Sequence, residues 1–455
     1  MVQRMMGGQG RRVTHILGTA LCLMASHAWG QETQPRGPGA QPPGTATEPA
    51  LISPSAVPSI AAYPLELLGL LAPPAQRGPV TLMPSIAVGE EYNDNVFLSS
   101  RNRQSDFITS FGPAITLYVN RPSYQLNAGY SFSAVVYARE ERLNNAFDSQ
   151  NFIAGGLYRV SPALTLIATD TFAFNRNTNL VTSQNFSTGR QESWNNTFTP
   201  GMTWQMTATN TLSLTASYSV LRFEGAAGGV ASGAGGEVAS GAGGGVASDT
   251  YGFQSSLTHI FTPRFAGIIG YGFTYLDPQG QDTSTTHTPT LGFSYRLTPT
   301  LSAIVNGGPA VTELGGTTTV SPAGNASLTQ TLGFGSASLQ YTRGVSVAGG
   351  FGGTTNTQTV SGTLTLSALQ RGLLVVLNPA YSVAKSVSSQ QTAQADVQAF
   401  TLGLAAYYQV ARYTTLFAGY TFFQQHTGGS SSVQRDVDQN RVRFGLQFGY
   451  PINFD

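Results

Sequence analysis

The chain has 455 residues, a formal net charge of +1 and one cysteine. Only 10% of it is charged, against about 25% in soluble domains, which argues against the two or three soluble domains that the length would allow. No run of about 18 apolar residues is present to cross a bilayer as a helix, the 19 Tyr and 25 Phe argue against general disorder, and no basic stripe suits nucleic acid.

The first thirty residues read as a secretory signal peptide. Arg4, Arg11 and Arg12 form its basic part, Ile16 to Ala25 its apolar part, and Ala28-Trp29-Gly30 a small-residue cleavage site before Gln31. Ten apolar residues are too few to span a membrane. Cleavage removes Cys22, so the mature chain has no disulfide framework, thiol nucleophile or thiolate metal site. It also moves the net charge to about −2, because three arginines and no acids leave.

Residues 31–78 carry ten prolines and read as an extended or disordered periplasmic linker. Leu65 to Leu71, LELLGLL, is an apolar island in it, read as a sticky linker segment, with a docking turn or plug as the alternative.

From residue 79 to 455 the texture is alternation. In TLSLTASYSV, Leu212, Leu214, Ala216, Tyr218 and Val220 share one face and Ser213, Thr215, Ser217 and Ser219 the other. SYQLNAGYSFSAV and RVRFGLQFGY repeat the pattern. Period two over about ten residues means strands with one apolar and one polar face, of the length membrane strands need. The spacing predicts strands at 80–92, 106–119, 123–137, 147–159, 163–175, 193–206, 210–223, 250–261 and 264–276. It continues with 285–296, 301–312, 327–342, 344–355, 358–369, 373–386, 396–410, 413–425 and 440–454. The expected fold is all-β: a transmembrane antiparallel up-and-down barrel of about 18 strands, with sixteen as the alternative count.

Short connections are expected on one side: NRPS at 120–123, RVSPA at 159–163, TPR at 262–264, RLTPT at 296–300, TRG at 342–344, QRG at 370–372 and VAR at 410–412. The others are long and polar. The longest, 225–249, holds an eight-residue Gly/Ala/Ser repeat starting at Val230, Val238 and Val246 and reads as an extracellular loop insertion. Arg121, Arg159, Arg264, Arg296, Arg343, Arg371 and Arg412 lie in or beside the short turns, and acids gather at the opposite ends, which implies one orientation across a membrane.

GEEYNDNVF, residues 89–97, places Glu90, Glu91 and Asp94 within five positions at the end of the first strand. As an extracellular acidic cluster they would suit a divalent cation bridging lipopolysaccharide, but they lack EF-hand spacing, and the structural reading is preferred: Tyr92 and Phe97 near the aromatic girdle, Asn93 and Asp94 turning the chain. The stretch PSIAVGEEYNDNVFLS, with SDFITSFGPAITL and its Asp106 and Pro113, resembles the type 2 β-barrel porin family of bacterial outer-membrane proteins. That resemblance covers about two strands, together with overall length and the Pro-rich segment. It implies an outer-membrane barrel, often tied to exopolysaccharide production. Asp455 departs from the common ending in an aromatic residue; Phe448, Tyr450, Ile452 and Phe454 keep the pattern up to it.

No catalytic, cofactor or metal site is expected. His259 falls on the lipid face near a turn, and His287 and His426 lie in or beside outward loops without a nucleophile–base motif. The one lysine, Lys385, belongs to no phosphate-binding loop. Gln125, Asn127, Gln254, Arg441, Arg443 and Gln447 are expected to face the lumen. So weakly charged an interior favours neutral or weakly charged solutes such as saccharides over polyanions. The expected function is a porin-like outer-membrane channel for passage or export of such solutes, with a non-conducting structural or surface-binding barrel in an exopolysaccharide or envelope system as the alternative and an outer-membrane enzyme as a less favoured one. Expected partners are outer-membrane lipid and lipopolysaccharide, the barrel-assembly machinery and components of saccharide or exopolysaccharide export.

Overall fold

A computed structural model describes residues 79–175, 179–181, 186–190, 192–224, 246–347, 354–367, 369–387, 396–428 and 436–454. The signal segment with Cys22, the linker with Leu65–Leu71, the repeat loop up to residue 245, and Asp455 lie outside them.

In chain order the strands are β1 (Val80–Asn93), β2 (Asp106–Asn120), β3 (Tyr124–Tyr137), β4 (Asn145–Ser161), β5 (Leu164–Asn175), β6 (Asn179–Val181) and β7 (Ser187–Arg190). There follow β8 (Glu192–Gln205), β9 (Asn210–Glu224), β10 (Ser248–Thr262), β11 (Phe265–Pro278), β12 (Ser284–Arg296), β13 (Leu301–Leu314) and β14 (Thr317–Leu332). The last are β15 (Gly335–Val347), β16 (Thr354–Leu366), β17 (Leu373–Ser386), β18 (Asp396–Ala411), β19 (Thr414–Gly428), β20 (Val437–Gly449) and β21 (Ile452–Phe454). β6 and β7 form a small separate hairpin. The others form one closed antiparallel barrel of eighteen staves, β20 and β21 being two pieces of the last. Pro451, which has no N–H, separates those pieces. The ring closes where β1 pairs with β20, from Ser85↔Gly449 to Asn93↔Arg441, and with β21, from Val80↔Phe454 to Leu82↔Ile452.

Alternation decides which face is which. On β20, Val442, Phe444, Leu446 and Phe448 are exposed, while Arg441, Arg443 and Gln447 point the other way. Across the barrel the outward parity carries large apolar side chains, with Leu291 70%, Val320 65%, Phe444 62% and Ile269 62% exposed. Apolar area on that scale has to be covered by lipid, and a strand sheet in lipid has to close to pair its backbone. Aromatic rings band both ends of this face. Tyr413 lies against Tyr450 at 5.0 Å and Phe261 against Phe265 at 5.6 Å at one end; Tyr92 lies against Phe107 at 5.1 Å and Tyr218 stacks on Tyr251 at 4.8 Å at the other. Such girdles mark two membrane interfaces.

At the end where β1 starts every connection has two to six residues, and all those longer than six lie at the other, here called the loop end. The shortest loop-end connection between staves has two residues: Gly315 (φ +54°) and Gly316 (φ +77°) join β13 to β14. Positive φ at both central residues is the tight hairpin geometry that glycine accepts without steric cost.

That turn corrects three expected strands. Residues 327–342, 344–355 and 358–369 were each expected as one strand; the strands run Thr317–Leu332, Gly335–Val347 and Thr354–Leu366. The expected TRG turn at 342–344 does not exist: Arg343 lies inside β15, opposite Gly324 and Gln358. The real turn is Gly333-Phe334. Pro322 and Gly324 look like loop punctuation, yet both lie in β14, while alternation runs on through Gly333 and hides the turn.

Prolines in the interior of the strands face outward and interrupt the ladder. Pairing lapses between β2 and β3 at Pro113, β8 and β9 at Pro200, and β16 and β17 at Pro379. It lapses again between β12 and β13, where Pro289 would face Pro309 and neither has an N–H to give.

Candidate functional site

The candidate site is the lumen and its loop-end mouth. Much of the inner face is built from hydroxyl pairs directly opposite one another on adjacent strands: Ser133 with Ser149 at 2.8 Å, Thr197 with Ser219 at 2.7 Å, Thr286 with Thr312 at 3.0 Å and Thr359 with Ser382 at 3.0 Å. Each hydroxyl can both give and take a hydrogen bond, so these pairs stiffen the wall; three of the four are buried, and Thr197 with Ser219 keeps part of its surface open to the interior. Gln125, Asn127 and Gln254 share this inward parity, since Tyr124, Tyr130, Tyr251 and Phe253 beside them are exposed on the other face. Gln447 has the same parity but is only 4% exposed, packed into the wall.

Arg441 and Arg443 point inward and do different things. The Arg441 guanidinium donates two hydrogen bonds, both 2.8 Å, to the carboxylate of Glu91 across the closing seam. Arg443 lies over Gly419, where a Cβ would come within 3.4 Å of its Nε. Both members of the Arg441–Glu91 pair are mostly buried, so its two-pronged geometry compensates the desolvation of both charges.

The three carboxylates of residues 89–97 do not converge. Glu90 has the lipid-facing parity and accepts a hydrogen bond from Thr109 Oγ1 at 2.8 Å, Glu91 points inward to Arg441, and Asp94 accepts two 2.7 Å bonds from the backbone N and side-chain Nδ2 of Asn440. Glu90 and Glu91 lie within β1, not in a loop, and period two sends them to opposite faces. Tyr92 does join the girdle, but Phe97 does not: it packs on Val96, Ile108, Val135, Tyr137 and Leu143 under the Arg142 guanidinium.

What residues 93–99 do is clamp the first loop onto β20. Asn95 Nδ2 donates to the carbonyls of Ser99 and Asp438, both at 2.9 Å, and its Oδ1 accepts from Ser99 N at 2.8 Å. Gln439 Nε2 donates to Asn93 Oδ1 at 3.0 Å and to the Asn95 carbonyl at 2.8 Å. This clamp holds Leu98 at φ +49°, a conformation bulky side chains avoid, with its side chain 1% exposed.

Leu98 enters an apolar cluster at the mouth with Phe186, Ala384, Val397, Ala399, Phe423 and Val437. Phe186 comes from the connection between β5 and β8, on the far side of β1 from the β17–β20 wall it meets. Gln425, inward on β19, grips the next residue twice: Ser187 N donates to its Oε1 at 2.8 Å and its Nε2 donates to the Ser187 carbonyl at 2.9 Å. A side-chain amide here imitates a neighbouring strand. Deeper in the same sector Leu374, Val376, Tyr407 and Phe417 form a second apolar cluster. The Phe417 ring lies over Gly89 and Gly445, where a Cβ on Gly445 would collide with it and with the Val88 carbonyl. Sequence reading missed this lining; the signal available was the small-residue run Gly445, Gly449 and Gly419 facing inward.

His259 is outward, its Nδ1 2.7 Å from Asn210 Oδ1; His287 is 2.7 Å from Tyr271 Oη, and His426 is 2.8 Å from Asp436. Among the described residues no three His, Cys, Asp or Glu side chains gather as a metal set.

No protein-family model matches the chain, and no curated protein matches it, so the resemblance of the first two strands to the type 2 porins has no matching family model behind it. Solved structures similar in outline include OccK5 (OpdH) of Pseudomonas aeruginosa (TM-score 0.42, 13% identity, 82% of this chain and 98% of that one). OpdL of the same organism is similar at TM-score 0.42 and 11% identity over 82% and 99% of the two chains. The siderophore receptor PirA of that organism is similar at 0.39 and 10% over 83% and 81%.

Proposed function

We propose that this chain is a porin-like channel of the bacterial outer membrane that passes neutral or weakly charged hydrophilic solutes, saccharides among them. The observation that supports it most is the inner face: eighteen staves, a number at which barrels enclose an aqueous channel, lined by paired hydroxyls and amides with few charges among the described residues. Hydroxyl groups on a sugar exchange hydrogen bonds with such a wall at little cost. Outer-membrane placement is supported by the closed barrel with its apolar band and two girdles; the type 2 porin resemblance of β1 and β2 fits it and adds a tie to exopolysaccharide systems. On this reading the loop end faces outward, lipopolysaccharide surrounds it, the assembly machinery inserts the barrel, and saccharide-export components are its natural partners. Refolded protein in a planar bilayer tests this, through conductance steps and their block by neutral oligosaccharides.

A further inference from the structure

One carboxyl group stands on the lipid side of the wall, well inside the apolar band. On β5 the outward parity is that of Leu166, which is exposed, and the register carries it through Phe198 of β8 to exposed Tyr218 of β9. Asp170 has this parity, between Ala154 of β4 and Phe198 of β8. It lies six residues from Leu164, where β5 leaves the short-turn end. Among the described strand residues the next lowest outward acid is Glu90, ten residues from Val80. Exposed Trp204 marks the short-turn side of this sector, and the Phe172–Trp194 ring pair, 6.3 Å between centroids, marks the loop side. Asp170 falls between them.

Asn196, also outward, donates from Nδ2 to Asp170 Oδ1 at 2.6 Å and to the Thr171 carbonyl at 3.2 Å, which uses both of its N–H groups. Among the described residues Asp170 Oδ2 and Asn196 Oδ1 make no hydrogen bond. Lipid tails have no donor or acceptor to give them, and an ionisable group at membrane depth belongs where protein or water meets it. The wall beside the pair is low. Gly156, Ala168 and Pro200 are neighbours in register, one outward position below the row Ala154, Asp170 and Phe198. Gly156 and Ala168 are buried beneath their larger neighbours although they face outward. Elsewhere the outward face stands up as Ile269, Leu291 and Phe444. Small residues let two membrane walls approach, and polar side chains then hold them together.

We propose that this face is the contact between two copies of the chain in the membrane. A second copy is inserted in the same orientation and to the same depth, so a two-fold axis along the membrane normal brings Asp170 and Asn196 of both copies to one level. The pair is complementary to itself. With its proton on, the Asp170 carboxyl group supplies a donor, and the oxygens left over on both side chains are acceptors, so each copy gives a hydrogen bond and takes one. Burying the neutral acid also avoids the cost of a charge in hydrocarbon. The contact rests on the barrel lying in a membrane and not on whether its lumen conducts.

The test is energy transfer between donor- and acceptor-labelled copies of the full chain carrying Cys22→Ser, refolded into phosphatidylcholine vesicles and diluted with added lipid. One label position is Leu166→Cys, outward on β5; the other is Val360→Cys, outward on β16, on the opposite side of the ring. Transfer at 166 that persists on dilution, with none at 360, is the expected result. Asp170→Leu is expected to raise the protein-to-lipid ratio at half-transfer about tenfold, and Asp170→Asn, which keeps a donor and an acceptor, to leave it within about twofold. Heat-shifted gel mobility checks that each variant is folded. Equal transfer at both positions, or transfer at 166 that Asp170→Leu leaves unchanged, would overturn the proposal. Copies that stay monomeric in lipid would also overturn it and leave the face to a different membrane protein.

Discussion

Two sectors of one barrel, built from the same alternation, are held together differently. From β17 through β20 to β1 and β2 the ladder is nearly unbroken, split only where Pro451 divides the last stave, and its inner side is loaded: Phe417 over Gly89 and Gly445, Glu91 on Arg441, Asn95 and Gln439 fastening the first loop, Phe186 and Leu98 sunk into the mouth. From β12 to β15 the inner side carries small and hydroxyl residues, and the ladder lapses at Pro289 and Pro309 and ends early at Gly324. Alternation is enough to make a strand; what makes a wall rigid is the combination of donated N–H groups and contacts made across the lumen. A barrel can therefore keep one firm side and one yielding side without changing its strand pattern.

Substitutions can break this contrast. The largest effect is expected at Phe186→Ala, where truncating a fully buried aromatic costs roughly 3–5 kcal/mol. Hydrogen exchange at Ser187 is expected to become fast while the β12–β15 amides stay as they were; unchanged protection at Ser187 would remove the mouth cluster from the account. Next is Arg441→Ala, which strands a mostly buried Glu91 carboxylate at roughly 2–4 kcal/mol. It is expected to lower the unfolding midpoint read by heat-shifted gel mobility, with part of the loss restored by adding Glu91→Gln. The same change removes an inward positive charge, so the reversal potential in a salt gradient should move toward cation preference. Gly445→Ala overpacks Phe417 and the Val88 carbonyl and is expected to cost about 1–3 kcal/mol, a loss that Phe417→Ala should relieve only in part, because the backbone contact remains.

The smallest effect belongs to the yielding side. Pro309→Ala adds an N–H facing the Pro289 carbonyl, worth about 1 kcal/mol, against about 0.5 kcal/mol for a looser unfolded chain. Equilibrium unfolding is expected to shift by under about 0.5 kcal/mol, whereas a large loss would show the proline to be a strut of the wall.

Much of this was legible in the sequence. Period two placed most strands within a few residues, because alternation is a local property. It failed at β14–β16, where Pro322 and Gly324 signal a loop by their chemistry and the sheet absorbs them as an outward proline and the end of the β14–β15 ladder. The Glu91–Arg441 pair was within reach only as two faces: the residues are 350 apart in sequence, and closure of the ring sets them together. Neither the grip of Gln425 on Ser187 nor the burial of Phe186 has any local sign, since both depend on a segment crossing the mouth. GEEYNDNVF was singled out for its acids, yet its two asparagines do most of the fastening.

The channel reading stands or falls on single-channel recording from the refolded, heat-modifiable barrel in a planar bilayer. Stable ohmic steps that shrink as neutral oligosaccharides are added are the expected result. A correctly folded barrel that shows no conductance would contradict the open lumen and favour a structural or surface-binding role.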